Sequence, residues 1–292
     1  LQEGELRIRT ACTLVSTGTE LKVFSGDIAS EGAEPLDLTI QGMSTAAPQY
    51  PMKYGYSLVG TVEAVGAGVD ESLWLGKRVF SFSPHSTVAI AQASSVLPIP
   101  DDVCFEDAAF LPSVETAVSL VMSANPMLGE RVAVVGQGLI GQLTAAVLKA
   151  FAPTADLSVL DISDQRLQAA RDLIEELPAA AVGSVPFLRT ANPLAQRAEE
   201  GFDVCIEVSG SMAGLQTAVD SCMDGGRVII GSWYSTAASR LSLGTKFHRS
   251  GVQLIASQVS RIPARLSDCW TKERRFDVAW DMLRRVRPSR ML

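Results

Sequence analysis

The sequence predicts an α/β protein in two parts, a β-rich first domain followed by a doubly wound parallel sheet, and three observations carry that prediction. The first hundred or so residues are short β-branched or alternating runs broken by Gly, Pro and Ser. From Val114 onward, strand-like and helix-like segments alternate. One buried run, RVAVV, passes directly into a glycine-rich turn and then a helical pattern. At 292 residues and 47% hydrophobic, the chain is long enough for two domains and can bury a substantial core.

In the first half, ELRIRTACTLV from Glu5, SLVGTVEAVGAGV from Ser57, GKRVFSF from Gly76 and STVAIA from Ser86 read as strands of a β-rich barrel or sandwich. In the second half, ETAVSLVMSA is helical, RVAVV a strand, LIGQLTAAVLKAF a helix and LSVLD a strand. DQRLQAARDLIEEL is then a helix with Asp164 as its cap. FDVCIEVSG, GGRVIIGSW and VQLIAS continue as strands around the helix MAGLQTAVDSCM, and a third strand is expected within AAAVGSVPFL. Strands separated by helices of this length need crossover connections, which gives a parallel sheet. The organisation expected is 1–112 β-rich, 113–257 doubly wound, and 258–292 a C-terminal segment ending in the amphipathic helix FDVAWDMLRRV.

Net charge −7 and a sequence pI near 5.0 argue against nucleic acid or an anionic membrane as partner, because both repel an acidic surface. A small-molecule ligand is the better default. Five scattered cysteines, Cys12, Cys104, Cys205, Cys222 and Cys269, form no CxxC pair, which fits a reducing compartment, the cytoplasm by default. The longest uncharged stretch, Val79 to Pro100, is too rich in Ser and Pro to be a membrane span. The opening LQEGELRIRT has neither an initiator methionine nor an apolar signal segment, as a fragment of a longer chain would.

The strand–loop–helix ERVAVVGQGLIGQLTAAVLKAF holds Gly136-Gln137-Gly138-Leu139-Ile140-Gly141. Its context suits a dinucleotide: Gly136 for the tight turn, Gly138 for close approach of a pyrophosphate, Gly141 for helix-on-strand packing, and a helix N-terminus to receive the anion. Asp161 stands 20 residues after Gly141 at the end of LSVLD, the offset of a carboxylate that accepts ribose hydroxyls. A carboxylate there favours NAD over NADP, while Arg166 nearby could accommodate a 2′-phosphate. The alternative for Asp161 is a plain turn or helix-capping residue. Ser209, Ser232 and Trp233 follow later strands and are candidates for the nicotinamide side, Trp233 with packing as its alternative.

With these residues in place, the chain resembles the medium-chain dehydrogenase/reductase family over nearly its full length. SLVGTVEAVGAGV followed by Gly76-Lys77-Arg78-Val79 is similar to an early segment and turn of that family, and VLPIPDDVCFEDAAFL to its approach to the cofactor domain. The resemblance implies a GroES-like catalytic domain, a Rossmann domain, return of the C-terminal segment to the catalytic domain, and homodimers or homotetramers. It also implies relatives that run on past Met291-Leu292. Zinc-dependent members place a cysteine, a histidine and a third ligand where this chain has Thr17, Tyr56 and, at best, Glu115. No catalytic zinc is therefore expected. STGTELKVFSG and YGYSLVG resemble a zinc-free subgroup that includes quinone reductases and bacteriochlorophyllide dehydrogenase.

The activity so implied is hydride transfer between nicotinamide and a small or hydrophobic alcohol, ketone or activated alkene. Thr19, Tyr56 and Ser57 are the candidate donors: Thr19 matches a proton-relay hydroxyl of zinc-dependent relatives, and Tyr56 projects a phenol from the lost ligand's place. Tyr56 could instead fill volume, and Thr19 could be a turn hydroxyl. Glu20 is expected to pair with a cation or backbone amides, His85 to sit at a strand edge and His248 to be structural. KERRF is expected as a solvated helix face, with Arg274 or Arg275 as alternative partners for a substrate carboxylate. The competing reading is a dinucleotide-binding protein without turnover, in a sensing or structural role.

Overall fold

The computed structural model describes residues 1–26, 50–153, 155–177, 187–189, 201–234 and 240–292, with 187–189 described by backbone alone. Contacts divide the chain into two compact units, Leu1–Pro112 and Ser113–Leu292.

The first unit begins with β1 (Glu5–Thr13) and α1 (Thr17–Ser25). β2 (Leu58–Val65), the turn-like α2 (Glu71–Trp74), β3 (Arg78–Ser81), β4 (Val88–Gln92), β5 (Val96–Pro98) and α3 (Phe105–Ala108) follow. The half expected as a barrel or sandwich is, among the described residues, one five-stranded antiparallel sheet in the order β4-β1-β2-β3-β5. The alternation in β1 explains its register: Leu6 and Ile8 are buried while Arg7 and Arg9 face outward toward Glu63 on β2. Leu6 and Ile8 join Leu58, Val62, Val79, Ala89 and Val96 in one apolar cluster.

Helix α1 is the element the strand-like reading of this half did not contain. Glu20 reaches back to the Ser16 amide at 2.8 Å, and Gly26 ends the helix at φ 72°, returning its N–H to the Lys22 and Val23 carbonyls. Thr19 therefore lies in the first helical turn.

Helix α4 (Leu111–Ala124) spans the division at Ser113, and the second unit then runs β6 (Arg131–Val135), α5 (Leu139–Phe151), β7 (Asp156–Asp161), α6 (Asp164–Glu175) and β8 (Phe187–Arg189). It continues with β9 (Phe202–Glu207), α7 (Met212–Ser221), β10 (Cys222–Ile230), α8 (His248–Ser250), β11 (Gln253–Ala256) and α9 (Lys272–Val286). Six parallel strands lie in the order β11-β10-β9-β6-β7-β8. The order reverses between β6 and β9, leaving a crevice at the carboxyl ends of those two strands. The third strand pairs with β7 at Phe187–Arg189; residues 179–186 of the segment expected to hold it lie outside the described residues. The cap of α6 is Ser163, not Asp164. The Ser163 hydroxyl accepts the Arg166 N–H, and Asp164 occupies the first turn, where its charge meets the helix dipole.

The C-terminal segment 258–292 belongs by its contacts to the compact unit Ser113–Leu292. Helix α9 packs on α5, and its Arg275 is fully buried. All five guanidinium N–H groups are used. Nε and Nη2 reach Glu115 Oε1 on α4 at 3.1 and 2.8 Å, Nη1 reaches Ser119 Oγ and the Arg261 carbonyl, and Nη2 also reaches the Val259 carbonyl. Arg275 is thus no candidate for a substrate carboxylate. Arg274 stacks on Trp270 and donates to the Cys269 carbonyl. No helix among the described residues is long and apolar enough to cross a membrane.

Removing one member of a buried ion pair strands the other charge. Arg275→Met should lower unfolding stability by about 3–5 kcal/mol in urea titrations followed by circular dichroism, and the double variant Arg275→Met/Glu115→Leu should recover most of that loss. Equal destabilisation of the single and double variants would show that packing, not charge pairing, holds α9.

Candidate dinucleotide site

The site is built where β6 ends. Gly136 takes φ 96°, and a Cβ there would lie 2.5 Å from the Ser209 Cα, so only glycine fits the turn. At Gly141 a Cβ would fall 1.8 Å from the Gly136 carbonyl oxygen, which forces a bare backbone where α5 crosses the loop. Gly138 is different: it caps α5 with extended backbone, no side chain closes the helix end, and nothing lies within 4 Å of a Cβ built there. Leu139 and Ile140 form the first turn beyond it. A 13-residue helix thus presents amide groups and the positive end of its dipole to open space. This cradle fits a pyrophosphate.

Asp161, at the end of β7, is brought to the same loop. Its Oδ2 accepts the Gln137 N–H at 2.6 Å and its Oδ1 accepts the Ser163 N–H at 2.8 Å. Arg166 Nη1 stands 3.9 Å from Oδ2 and is largely exposed. The capping-type bond and the ribose-acceptor reading are compatible, since each carboxylate oxygen keeps a further lone pair. A groove of about 500 Å³ opens beside it, lined by Gln142, Ile162, Ser163, Gln165, Arg166 and Ala169. Below the loop, Gln137 is fully buried and donates to the Val134 carbonyl, while Gln142 donates to the carbonyl of Gln137.

On the other side of the switch point, Ser209 and Ser232 are brought together through Gly210, whose N–H donates to Ser232 Oγ at 2.8 Å. Trp233 follows on the strand exit and is over a third exposed. Sequence reading missed two neighbours here. Glu207, the last residue of β9, is fully buried and accepts the Ser209 N–H and Oγ–H at 2.7 and 2.5 Å. Tyr234 donates its phenol to the second oxygen of Glu207. Burial, and then the Glu207 carboxylate, push that phenol far above its ordinary pKa. The missed signal was available: FDVCIE ends in an acid just as LSVLD does.

In the first unit, α1, the 54–57 segment and the turn before β4 converge. His85 Nε2 and Glu20 Oε2 are 2.7 Å apart, and the His85 N–H donates to the Tyr54 carbonyl. The ring fills space that a side chain at Gly55 would need. Glu20 therefore does pair with a backbone amide, that of Ser16, and with the ring of His85, which sits in a loop rather than at a strand edge. Tyr56 packs edge-on against Tyr54 with ring centroids 6.3 Å apart. Ser57 is buried and donates its hydroxyl proton to the Ala109 carbonyl, so that proton is already committed. Among the described residues, no group of three or more His, Cys, Asp or Glu side chains could hold a metal ion. Glu115, the remaining candidate third ligand, is occupied by Arg275.

The open glycine cradle, the strand-end acid and the 3-2-1-4-5-6-type strand order, here written β8-β7-β6-β9-β10-β11, define a Rossmann-type unit that follows a GroES-like antiparallel unit in the chain. The L-threonine 3-dehydrogenase of Ruegeria pomeroyi is 32% identical over 138 residues, 47% of this chain and 39% of that protein. The L-threonine 3-dehydrogenase of Stenotrophomonas maltophilia is 30% identical over 241 residues, 72% of this chain and 65% of that protein. The chain thus spans less than two thirds of the length of these relatives. In fold, it superimposes with TM-score 0.70 on an alcohol dehydrogenase of Escherichia coli CFT073 crystallised with NADH, at 18% identity, covering 97% of this chain and 80% of that one. No protein-family model matches the chain. Together the relatives and the fold make the chain similar to the medium-chain dehydrogenase/reductase superfamily.

Glycine substitutions separate fold from ligand at this loop. Gly138→Ala, at an allowed φ of −71°, should cost no more than about 1 kcal/mol of stability while obstructing the anion cradle. Gly141→Ala should disturb the loop itself. Thermal unfolding alongside titration with NADH should show the first variant folded but weak in binding and the second impaired in both; a Gly138→Ala chain that binds NADH normally would remove the cradle from the site.

Proposed function

We propose that the chain is an NAD(P)-dependent oxidoreductase that moves a hydride between nicotinamide and a small or hydrophobic alcohol, ketone or activated alkene, without catalytic zinc. The observation that carries the reading is the open N-terminus of α5 above Gly138, flanked by Asp161. The cofactor, when bound, supplies or accepts the hydride. The protein's part is to hold both partners in reactive geometry and to give or take a proton.

Asp161 supports NAD as the preferred cofactor, because its carboxylate is fixed beside the groove and would repel a 2′-phosphate. Arg166 leaves NADP as the lesser alternative. For the proton, Thr19 and Tyr56 remain the proposed donors. The committed proton of Ser57 makes its role one of support for the 54–57 segment. Zinc-free chemistry is supported by the residues at the ligand positions: a hydroxyl at Thr17, a phenol at Tyr56 and a carboxylate at Glu115 already bound to Arg275. The names of the relatives suggest β-hydroxy amino acids such as L-threonine as the first alcohols to try. A homodimer or homotetramer and a cytoplasmic, reducing setting remain part of the proposal on the ground of resemblance and free cysteines.

Titration with NADH and NADPH, following reduced-nicotinamide fluorescence, tests the cofactor half. NADH should bind in preference, and Asp161→Asn should weaken it about tenfold, the scale of about 1.4 kcal/mol for one lost charged hydrogen bond. No binding of either cofactor would end this reading. Metal analysis of protein purified without chelator should find zinc far below one equivalent, and turnover of any alcohol in a screen should fall in Tyr56→Phe. Cofactor binding with no turnover in any screen would favour a binding-only protein.

A further inference from the structure

The β9 exit holds a carboxylate that the dinucleotide reading does not use. Glu207 is fully buried and spends its hydrogen-bonding capacity on two neighbours: Ser209, through both its N–H and its hydroxyl, and the phenol of Tyr234. This makes a wedge of Ser209. A Cβ at Gly136 would lie 2.5 Å from the Ser209 Cα, and a Cβ at Gly214 would lie 2.0 Å from its Oγ, so Ser209 fits only because both neighbours are bare backbone. The next residue, Gly210, turns at φ 71° and ties its N–H to Ser232 at the exit of β10.

All these residues stand on the β9–β10 side of the switch point, across β6 from Asp161 on β7. A dinucleotide laid over such a crevice puts its adenosine half on the β7 side and its nicotinamide half on the β9–β10 side. Resting on the dinucleotide reading above, we propose that Glu207 is a positioning residue for the nicotinamide half, acting through the Ser209–Gly210 turn and the Tyr234 phenol. An ionised side chain with no exposure is costly unless fully hydrogen-bonded, and three donors aimed at one carboxylate meet that condition. Because the phenol proton is held far above its ordinary range, Tyr234 stays a donor to Glu207 across the working pH range. Glu207 touches no ligand. It sets the position of the backbone on which the ring would lie.

The test compares NADH with ADP-ribose, which lacks the nicotinamide ring, on the whole chain and on Glu207→Gln and Tyr234→Phe. In both variants NADH should bind more weakly, by about tenfold in Glu207→Gln, and reduced-nicotinamide fluorescence should lose its enhancement, while ADP-ribose affinity stays within about twofold. Parallel loss of both ligands would make Glu207 a scaffold for the whole loop, and unchanged NADH binding would make it inert; either overturns the proposal. Should Glu207→Gln fail to fold, Tyr234→Phe, which keeps the carboxylate and its bonds to Ser209, decides by the same split. A wild-type chain that binds neither ligand removes the dinucleotide reading, and this inference with it.

Discussion

The arrangement of the second unit turns on one carboxylate at a strand end. Asp161 takes the Gln137 amide on one oxygen and the Ser163 amide on the other, so a single side chain ties the glycine loop after β6 to the turn after β7. Without that tie, the loop would keep only the Gln137 and Gln142 side-chain bonds and its packing on Ser209, and three glycines in six residues have much backbone freedom to lose on folding. The same bonds fix where the charge stands: nearly buried, beside the groove along α6, and within reach of Arg166 only at 3.9 Å. The atoms that hold the turn are thus the same ones that face the groove side of the loop. The question of whether Asp161 is a turn residue or a ribose acceptor is no longer a choice between exclusive options.

Glu207 repeats this logic one strand pair away. Each acid ends a strand, accepts an amide two residues on, and so shapes the following turn: Ser163 for Asp161, Ser209 for Glu207. The two turns meet the loop from opposite sides. Gln137 is held by Asp161, and Gly136 is packed against Ser209. A parallel sheet leaves its strand ends with unpaired backbone groups at one rim, and a strand-terminal carboxylate satisfies the first amides there without lengthening the loop.

Much of this was legible in the sequence. The period changes at Val114, and ERVAVVGQGLIGQ and LSVLD locate the strand, loop, helix and acid that the structure assembles, because each is local and its constraint is written in residue type. The errors have local causes too. Ser163 rather than Asp164 caps α6 because the residue that accepts the Arg166 amide is the one just outside the helix, a distinction of one position that composition does not resolve. Helix α1 was unseen because STGTELKVFSG is short and weakly amphipathic and depends on Glu20 folding back onto Ser16. What could not be read was pairing over distance: Arg275 with Glu115, 160 residues apart, and His85 with Glu20, 65 apart. An isolated basic run reads as a solvated face until something buries it.

Those distant pairs bear on the chemistry left to the protein. Three of its buried or nearly buried acids are spoken for: Glu115 by Arg275, Glu207 by Ser209 and Tyr234, and Asp161 by two amides. Glu20, also little exposed, is divided between the Ser16 amide and His85. A carboxylate already bound on this scale is a poor metal ligand and a poor general base, since either role would strand the donors it now satisfies. Among the candidates named from sequence, the groups that can both give and accept a hydrogen bond are the Thr19 hydroxyl and the Tyr56 phenol. The Glu20-held imidazole of His85 stands in the same part of the first unit, tied to Tyr54 through its own amide. Such groups act by direction and distance rather than by charge, and residues 54–57 and 85 are tightly anchored to one another.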